Sequence, residues 1–344
     1  MSEEHDAYRE LCRSFYVKNV IPHTEKWEAQ GQVSREVWRQ AGEAGMLCVG
    51  VPEQYGGLGL DVKYSAVGWE EQSYANTTGP GWFLHSEICA PYLVHYGTDA
   101  QKQKYLPKFT TGEMISAIAM TEPGAGSDLA GMQCTAKKDG DYYVINGSKT
   151  YITNGYMSDV VIVCAKTDPS KGAKGISLFL VDDKTPGFAK GKPLKKLGMK
   201  AQDTCELFFE DVRVHKSAML GEENKGFIYL MNELPQERLL VGVMALASAE
   251  ACFEWTRAYV KDRKAFGARL ADKQTVQHKL AEMKTEITIA RTFADRCIEL
   301  HSHGKLDNAS ASMVKYHCTD LQSKVADQCV QLHGGAGYMW EYNG

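Results

Sequence analysis

No two cysteines in this chain are spaced as Cys-x-x-Cys, although ten are spread along its 344 residues. That distribution argues against a zinc ribbon or a dithiol redox motif and reads as buried free thiols in a reducing compartment. The ten histidines form no His-Glu-x-x-His pair or other ligand spacing, so no metal site is expected. Basic residues do not dominate: 39 Lys and Arg against 43 Asp and Glu give a formal net charge of −4, which speaks against a nucleic-acid footprint. No uninterrupted apolar run approaches the roughly 20 residues that a bilayer-spanning helix needs, so no transmembrane segment is expected. The opening residues, Met1-Ser-Glu-Glu-His-Asp6, have neither a secretory apolar core nor an Arg-rich amphipathic character. Internal repeats and low-complexity tracts are missing too.

What is present is an ordinary globular composition, 44% hydrophobic and 24% charged, in a chain long enough for roughly two to three domains. Helical periodicity dominates residues 1–114, as in Tyr8 to Val20 and Val37 to Met46; the Gly-rich stretch Val51 to Asp61 reads as a connector. Residues 115–224 change to short β segments: Tyr142–Ile145, Thr150–Ile152, Val160–Val163, Ile176–Val181 and Cys205–Phe209. Asn146-Gly147 is expected to turn a hairpin between the first two. Residues 225–344 return to helix. Val276, Leu280, Met283, Ile287, Ala290, Ala294 and Cys297 form one apolar stripe, and Val314, Cys318, Leu321, Val325, Cys329 and Leu332 a second. The expected fold is α+β: an N-terminal helical domain, a middle antiparallel β domain and a C-terminal four-helix-type bundle.

Two segments carry chemistry. The loop Met120-Thr-Glu-Pro-Gly-Ala-Gly-Ser-Asp128 offers successive backbone N–H groups and small side chains to an anionic or planar ligand. It is not the dinucleotide fingerprint, because no G-x-G-x-x-G follows a strand and opens a helix. The stretch Glu233-Leu-Pro-Gln-Glu-Arg-Leu-Leu240 embeds the carboxylate of Glu237 among apolar neighbours, where it could take a proton from carbon beside a redox cofactor. Two alternatives stay open here. Pro235 could open a helix and leave Glu237 as an N-terminal cap, and Glu233 is either a competing base or a solvated surface charge. Gly242 and Met244 fit either a pocket for a long or branched ligand tail or helix packing.

Five motifs in order, Val51-Pro-Glu-Gln-Tyr-Gly-Gly-Leu-Gly-Leu60, Met120 to Asp128, Asn146-Gly-Ser-Lys149 with Ile152-Thr-Asn-Gly155, Arg263-Lys-Ala-Phe-Gly267 and Gln331-Leu-His-Gly-Gly335, resemble the acyl-CoA dehydrogenases over the whole chain. Glu233 to Leu240 and Gly337 to Tyr342 resemble the long-chain members in particular. The resemblance implies FAD as cofactor, a saturated acyl-CoA oxidised to its trans-2-enoyl-CoA in fatty-acid β-oxidation, and electron-transfer flavoprotein as acceptor. It also implies a homotetramer in the mitochondrial matrix.

By residue, the resemblance implies Glu237 as the catalytic base and Ser127, Gln236 and Arg238 as substrate contacts. Ile118, Met120, Thr121, Gly126, Ser127, Tyr151, Ile152 and Thr153 would meet the flavin; Arg263, Phe266, Gln274, Gln331, Leu332, His333, Gly334 and Gly335 would meet the rest of FAD. For Tyr151, a cross-strand aromatic is the plain alternative, and for Arg238 a surface ion pair. Family members run several dozen residues past the Gly-Gly segment, whereas this chain ends at Asn343-Gly344 with Glu341-Tyr-Asn in place of Glu-Tyr-Pro. A chain lacking that C-terminal segment is therefore expected. An acyl-CoA oxidase, or a catalytically impaired form acting only as an assembly partner, are the competing readings.

Overall fold

The computed structural model describes residues 2–339 and 341, so Trp340 and Tyr342 of the Gly337–Tyr342 resemblance lie outside the described residues. Helices α1 (Glu3–Phe15), α2 (Thr24–Gln30), α3 (Arg35–Glu43), α4 (Val62–Tyr74), α5 (Trp82–Leu84), α6 (Ala90–Tyr96) and α7 (Asp99–Thr110) come first. Strands β1 (Ser116–Ala119), β2 (Thr135–Asp139), β3 (Tyr142–Thr153), β4 (Val160–Lys166), β5 (Ile176–Asp182), β6 (Phe188–Lys190), β7 (Thr204–His215) and β8 (Met219–Leu220) follow. The remainder is α8 (Gly226–Asp262), a small hairpin of β9 (Lys264–Ala265) and β10 (Ala268–Arg269), α9 (Gln274–Ser302) and α10 (Asn308–His333). The chain divides into two compact units, one made of residues 17–61 and 77–234, the other of 1–16, 62–76 and 235–344.

The first unit is built on one eight-stranded sheet, ordered β6-β7-β3-β2-β4-β5-β8 with β1 beside β4. Most pairings are antiparallel; β1 runs parallel to β4, and β2 meets β4 in parallel at Thr135 and Lys166. The apolar runs of β4 and β5 are buried on both faces apart from their last residues, as central strands should be. Tyr143, Ile145, Val161, Val163, Phe179, Leu207 and Val212 make the core beneath the sheet.

One sequence expectation fails here. Asn146-Gly147 turns no hairpin, because β3 passes straight through it. The turn falls instead between Asp139 and Tyr142, where Gly140 takes φ +59°. Asn146 and Gly147 form an irregularity against β7, in which the Asn146 amide exchanges hydrogen bonds with Asp211: Nδ2 donates to Oδ1 at 3.0 Å, and Oδ1 accepts from the Asp211 N–H at 2.9 Å. The dipeptide was a turn signal, but the flanking alternation was long enough to carry one strand of 12 residues.

In the second unit the two apolar stripes become the buried faces of α9 and α10, through Met283, Ile287, Ala290, Ala294 and Cys297 and through Val314, Cys318, Leu321, Val325 and Cys329. Asp307 caps α10 by accepting from the Ser310 N–H at 2.8 Å, and Gly334 ends it with φ +60°. Arg291 reaches Glu250 and Glu70, while Arg9 holds Glu70 and Glu71, so the charges buried among these helices are paired. All ten cysteines are free thiols, nine of them buried. Helix α8 corrects the expectation about apolar length: a window of mean hydropathy 1.4 makes it long and apolar enough to cross a bilayer. Leu239, Leu240, Val243, Leu246 and Ala247 have no exposed surface, so that apolarity serves a core helix.

Gly242 settles one open alternative in favour of packing. A Cβ there would lie 3.0 Å from the Val314 carbonyl oxygen and 3.1 Å from its carbon, so α8 approaches the α10 backbone where glycine leaves room. Gly242→Val should therefore lower unfolding free energy by about 1–3 kcal/mol, read from urea unfolding; unchanged stability would contradict this close approach.

Candidate functional site

Within the sheet unit, β1 delivers the chain into the Gly-rich loop. Ile118 is buried, Met120 and Thr121 are half-buried, and Gly126 and Ser127 are exposed. Added Cβ atoms at Gly124 and Gly126 would meet nothing within 4 Å, so the loop borders open space. Its base is fixed. The Thr121 carbonyl accepts from the Thr150 N–H at 3.0 Å, and Glu122 and Ala125 close a tight turn by exchanging backbone hydrogen bonds.

Tyr151 is not a cross-strand packing residue. The β3–β7 register slips between Lys149 and Ile152, Tyr151 adopts φ +59°, and its ring is 69% exposed. A bulge that turns a large aromatic outward in the left-handed region costs about 1–2 kcal/mol, and such strain is typical of ligand sites. Ile152 is buried in the core and Thr153 is half-buried, so any ligand contact from Ile152 would come from its main chain.

Within the helical unit a second group assembles. Phe266 and Gly267, with φ of +53° and +76°, form the two-residue tip between β9 and β10. Phe266 is 95% exposed, with the Lys273 ammonium 5.9 Å from its ring, which sets the tip beside Gln274 at the start of α9. Arg263 is exposed, and no carboxylate among the described residues pairs with it. Tyr259 links this group to the end of α10. Its carbonyl accepts from the Arg263 N–H at 2.8 Å, and its ring stacks on His333 at 4.3 Å. Gln331, Gly334 and Gly335 are exposed, Leu332 half-buried and His333 buried; Cβ atoms at the two glycines would meet nothing within 4 Å. An unpaired guanidinium and accessible glycine backbone, joined through Tyr259, are a donor set suited to phosphate and nucleotide.

Glu237 occupies a different setting from the one Pro235 suggested. Helix α8 begins at Gly226 and carries Pro235 in its interior, so Glu237 lies about three turns in and cannot serve as an N-terminal cap. It is half-buried beside the fully buried Leu239 and Leu240. Its neighbours are anchored: Gln236 Oε1 accepts from His301 Nε2 at 2.9 Å, and Arg238 Nη1 donates to Asn308 Oδ1 at 3.4 Å. For Arg238 this replaces the surface ion pair with a long hydrogen bond from the guanidinium to an uncharged amide oxygen. Glu233 is no solvated charge either. In the sheet unit it is 7% exposed and accepts from His95 Nδ1 at 2.8 Å, a bond that raises the imidazole pKa.

Sequence reasoning passed over Glu122 and Lys149. Lys149 shares the inward phase of β3 with Tyr143 and Ile145, and a charge on that phase was the available signal. Among the described residues no group of His, Cys, Asp and Glu is arranged to hold a metal ion.

Three family descriptions match in order: the acyl-CoA dehydrogenase N-terminal domain over residues 2–113, the middle domain over 117–212 and the C-terminal domain over 224–343. The long-chain specific acyl-CoA dehydrogenase of Rattus norvegicus, a mitochondrial protein by name, is 57% identical over 99% of this chain and 80% of its own length. A crystal structure of an acyl-CoA dehydrogenase from Geobacillus kaustophilus superposes with TM-score 0.98 at 51% identity, covering 100% of this chain and 91% of that one. A glutaryl-CoA dehydrogenase from Mycobacterium smegmatis, solved in complex with FADH2, superposes with TM-score 0.92 at 28% identity over 99% and 87% of the two chains.

The loop's approach strand also depends on a titratable group. His85 is fully buried; Nε2 donates to the Phe109 carbonyl at 3.1 Å, while Nδ1 accepts from the Ser116 N–H at 3.1 Å at the start of β1. Burial lowers its pKa from 6.5 to about 4, the Phe109 bond opposing only in part. Between those values the unfolded chain binds the proton and the folded one does not, so stability falls as pH drops through that window, by at most about 3 kcal/mol. Thermal midpoints recorded across it should decline in the wild type and decline less in His85→Gln; parallel slopes would contradict the assignment.

Proposed function

Because this chain belongs to the acyl-CoA dehydrogenase family, we propose that it oxidises long-chain, including branched, acyl-CoA thioesters to trans-2-enoyl-CoA with FAD. FAD, when bound, supplies the acceptor for the hydride that leaves the β-carbon. The protein's own task is the α-proton, which is hard to remove because the carbanion beside a thioester is weakly stabilised. Glu237 takes it. The observation that carries this reading is the half-buried Glu237 carboxylate in the interior of α8, flanked by side chains tied to α9 and α10. The anchored neighbours hold this helix face steady, as positioning a base against carbon requires. Gln236, Arg238 and Ser127 contact the substrate.

Support for FAD comes from this chain's own residues. The open Gly-rich loop, outward Tyr151, unpaired Arg263 and accessible Gly334-Gly335 are donors and surfaces that a flavin dinucleotide needs. Met120, Thr121, Tyr151 and Thr153 serve the flavin end; Arg263, Phe266, Gln274 and Gln331 to Gly335 serve the nucleotide end. The finer reading places the enzyme in fatty-acid β-oxidation in the mitochondrial matrix, as a homotetramer with domain boundaries near 115 and 225, passing electrons to electron-transfer flavoprotein. It is supported by the family relation and by the mitochondrial name of the rat relative.

The test is anaerobic addition of a long-chain acyl-CoA to purified protein, followed in the visible flavin band. Wild type should bleach. Glu237→Gln should keep the yellow colour and bleach at least about a hundredfold more slowly, the lower end for loss of a general base. Bleaching of that variant at the wild-type rate would remove Glu237 from the chemistry.

A further inference from the structure

Two buried charges lie beneath the Gly-rich loop, and proton removal uses neither. The Lys149 side chain has no solvent exposure and that of Glu122 has 5%. Lys149 Nζ donates to Glu122 Oε1 at 2.8 Å and to the Met120 carbonyl at 3.1 Å. Glu122 is saturated further by the backbone N–H groups of Gln133 and Cys134. The next carbonyl, of Thr121, is held by the Thr150 N–H. Two successive loop carbonyls are therefore pulled inward onto β3.

A trans peptide is planar, with C=O and N–H on opposite sides. Holding the Met120 carbonyl on Lys149 turns the Thr121 N–H outward, and no acceptor for it exists among the described residues. Half-buried Thr121 thus presents an oriented donor at the edge of the open loop. We infer that the Glu122–Lys149 pair is a positioning device for the cofactor, aiming the Thr121 N–H at a carbonyl oxygen of the flavin ring. The inference rests on the FAD reading above. Replacing a buried ion pair with apolar residues of similar volume is often neutral for stability, so the pair calls for a role beyond holding the fold.

The test uses Glu122→Gln, Lys149→Met and the double variant, each stripped of FAD and titrated with it. Each single variant leaves one buried charge uncompensated, so both should lower the apoprotein melting midpoint and weaken FAD binding. The double variant carries no unpaired charge and should recover most of the midpoint, yet its FAD dissociation constant should stay raised about tenfold or more, because the Met120 carbonyl has lost its donor. Wild-type FAD affinity in the double variant would overturn the proposal and leave only a structural pair. Hydrogen exchange gives a check independent of variant folding: FAD should protect the Thr121 amide in the wild type. A wild type that binds FAD with this amide unprotected overturns the positioning role alone, whereas one that takes up no FAD overturns the flavoenzyme reading with it.

Discussion

The sheet unit is organised around a lysine that never reaches water. Lys149 sits on the inward phase of β3, and its ammonium is tolerable there only because Glu122 and the Met120 carbonyl surround it. Desolvating two charges costs several kcal/mol each, so the arrangement holds only if the loop bearing Glu122 takes one conformation. Register in β3, the inward carbonyls of Met120 and Thr121, and the bulge that turns out Tyr151 then follow along one short stretch of chain. Buried polar contacts of this kind trade stability for uniqueness, which is what a preorganised binding edge needs.

The helical unit solves a different problem. Under the proposed function, a carboxylate that removes a proton from carbon must be partly dry yet held still. Placing Glu237 within α8 rather than at its end removes the N-terminal dipole and cap donors that would stabilise its charge. The interior Pro235 cannot donate to the carbonyl of Met231, so the helix gives up a bond just ahead of the segment that carries the carboxylate. Gln236 and Arg238 compensate by tying that segment to His301 and Asn308.

Much of this was legible from residues. The stripes of α9 and α10 follow from spacing alone, because one face of each helix is buried throughout. The order of helices, sheet and helices follows from the change of period. Other features were hidden by local rules that lost to context. Asn146-Gly147 is a strong turn signal, but its neighbours had partners in β2 and β7, so the strand ran on and the irregularity was absorbed as a bulge. Pro235 reads as a helix start, but nine residues upstream Gly226 already opens the helix. Glu233 reads as surface charge because nothing in the sequence announces that His95, 138 residues earlier, will meet it. Long-range polar pairs of this kind, Glu122 with Lys149 included, have no periodicity to betray them.

The central claim is that a side-chain carboxylate from the interior of a helix meets the α-carbon of the thioester. A crystal structure of the FAD-loaded protein with a non-oxidisable long-chain 3-thia-acyl-CoA measures that directly. The account predicts a Glu237 carboxylate oxygen within about 3–3.5 Å of the α-carbon, the separation of a reactive contact. A Glu237 carboxylate turned to bulk water, with another base at that carbon, would contradict it.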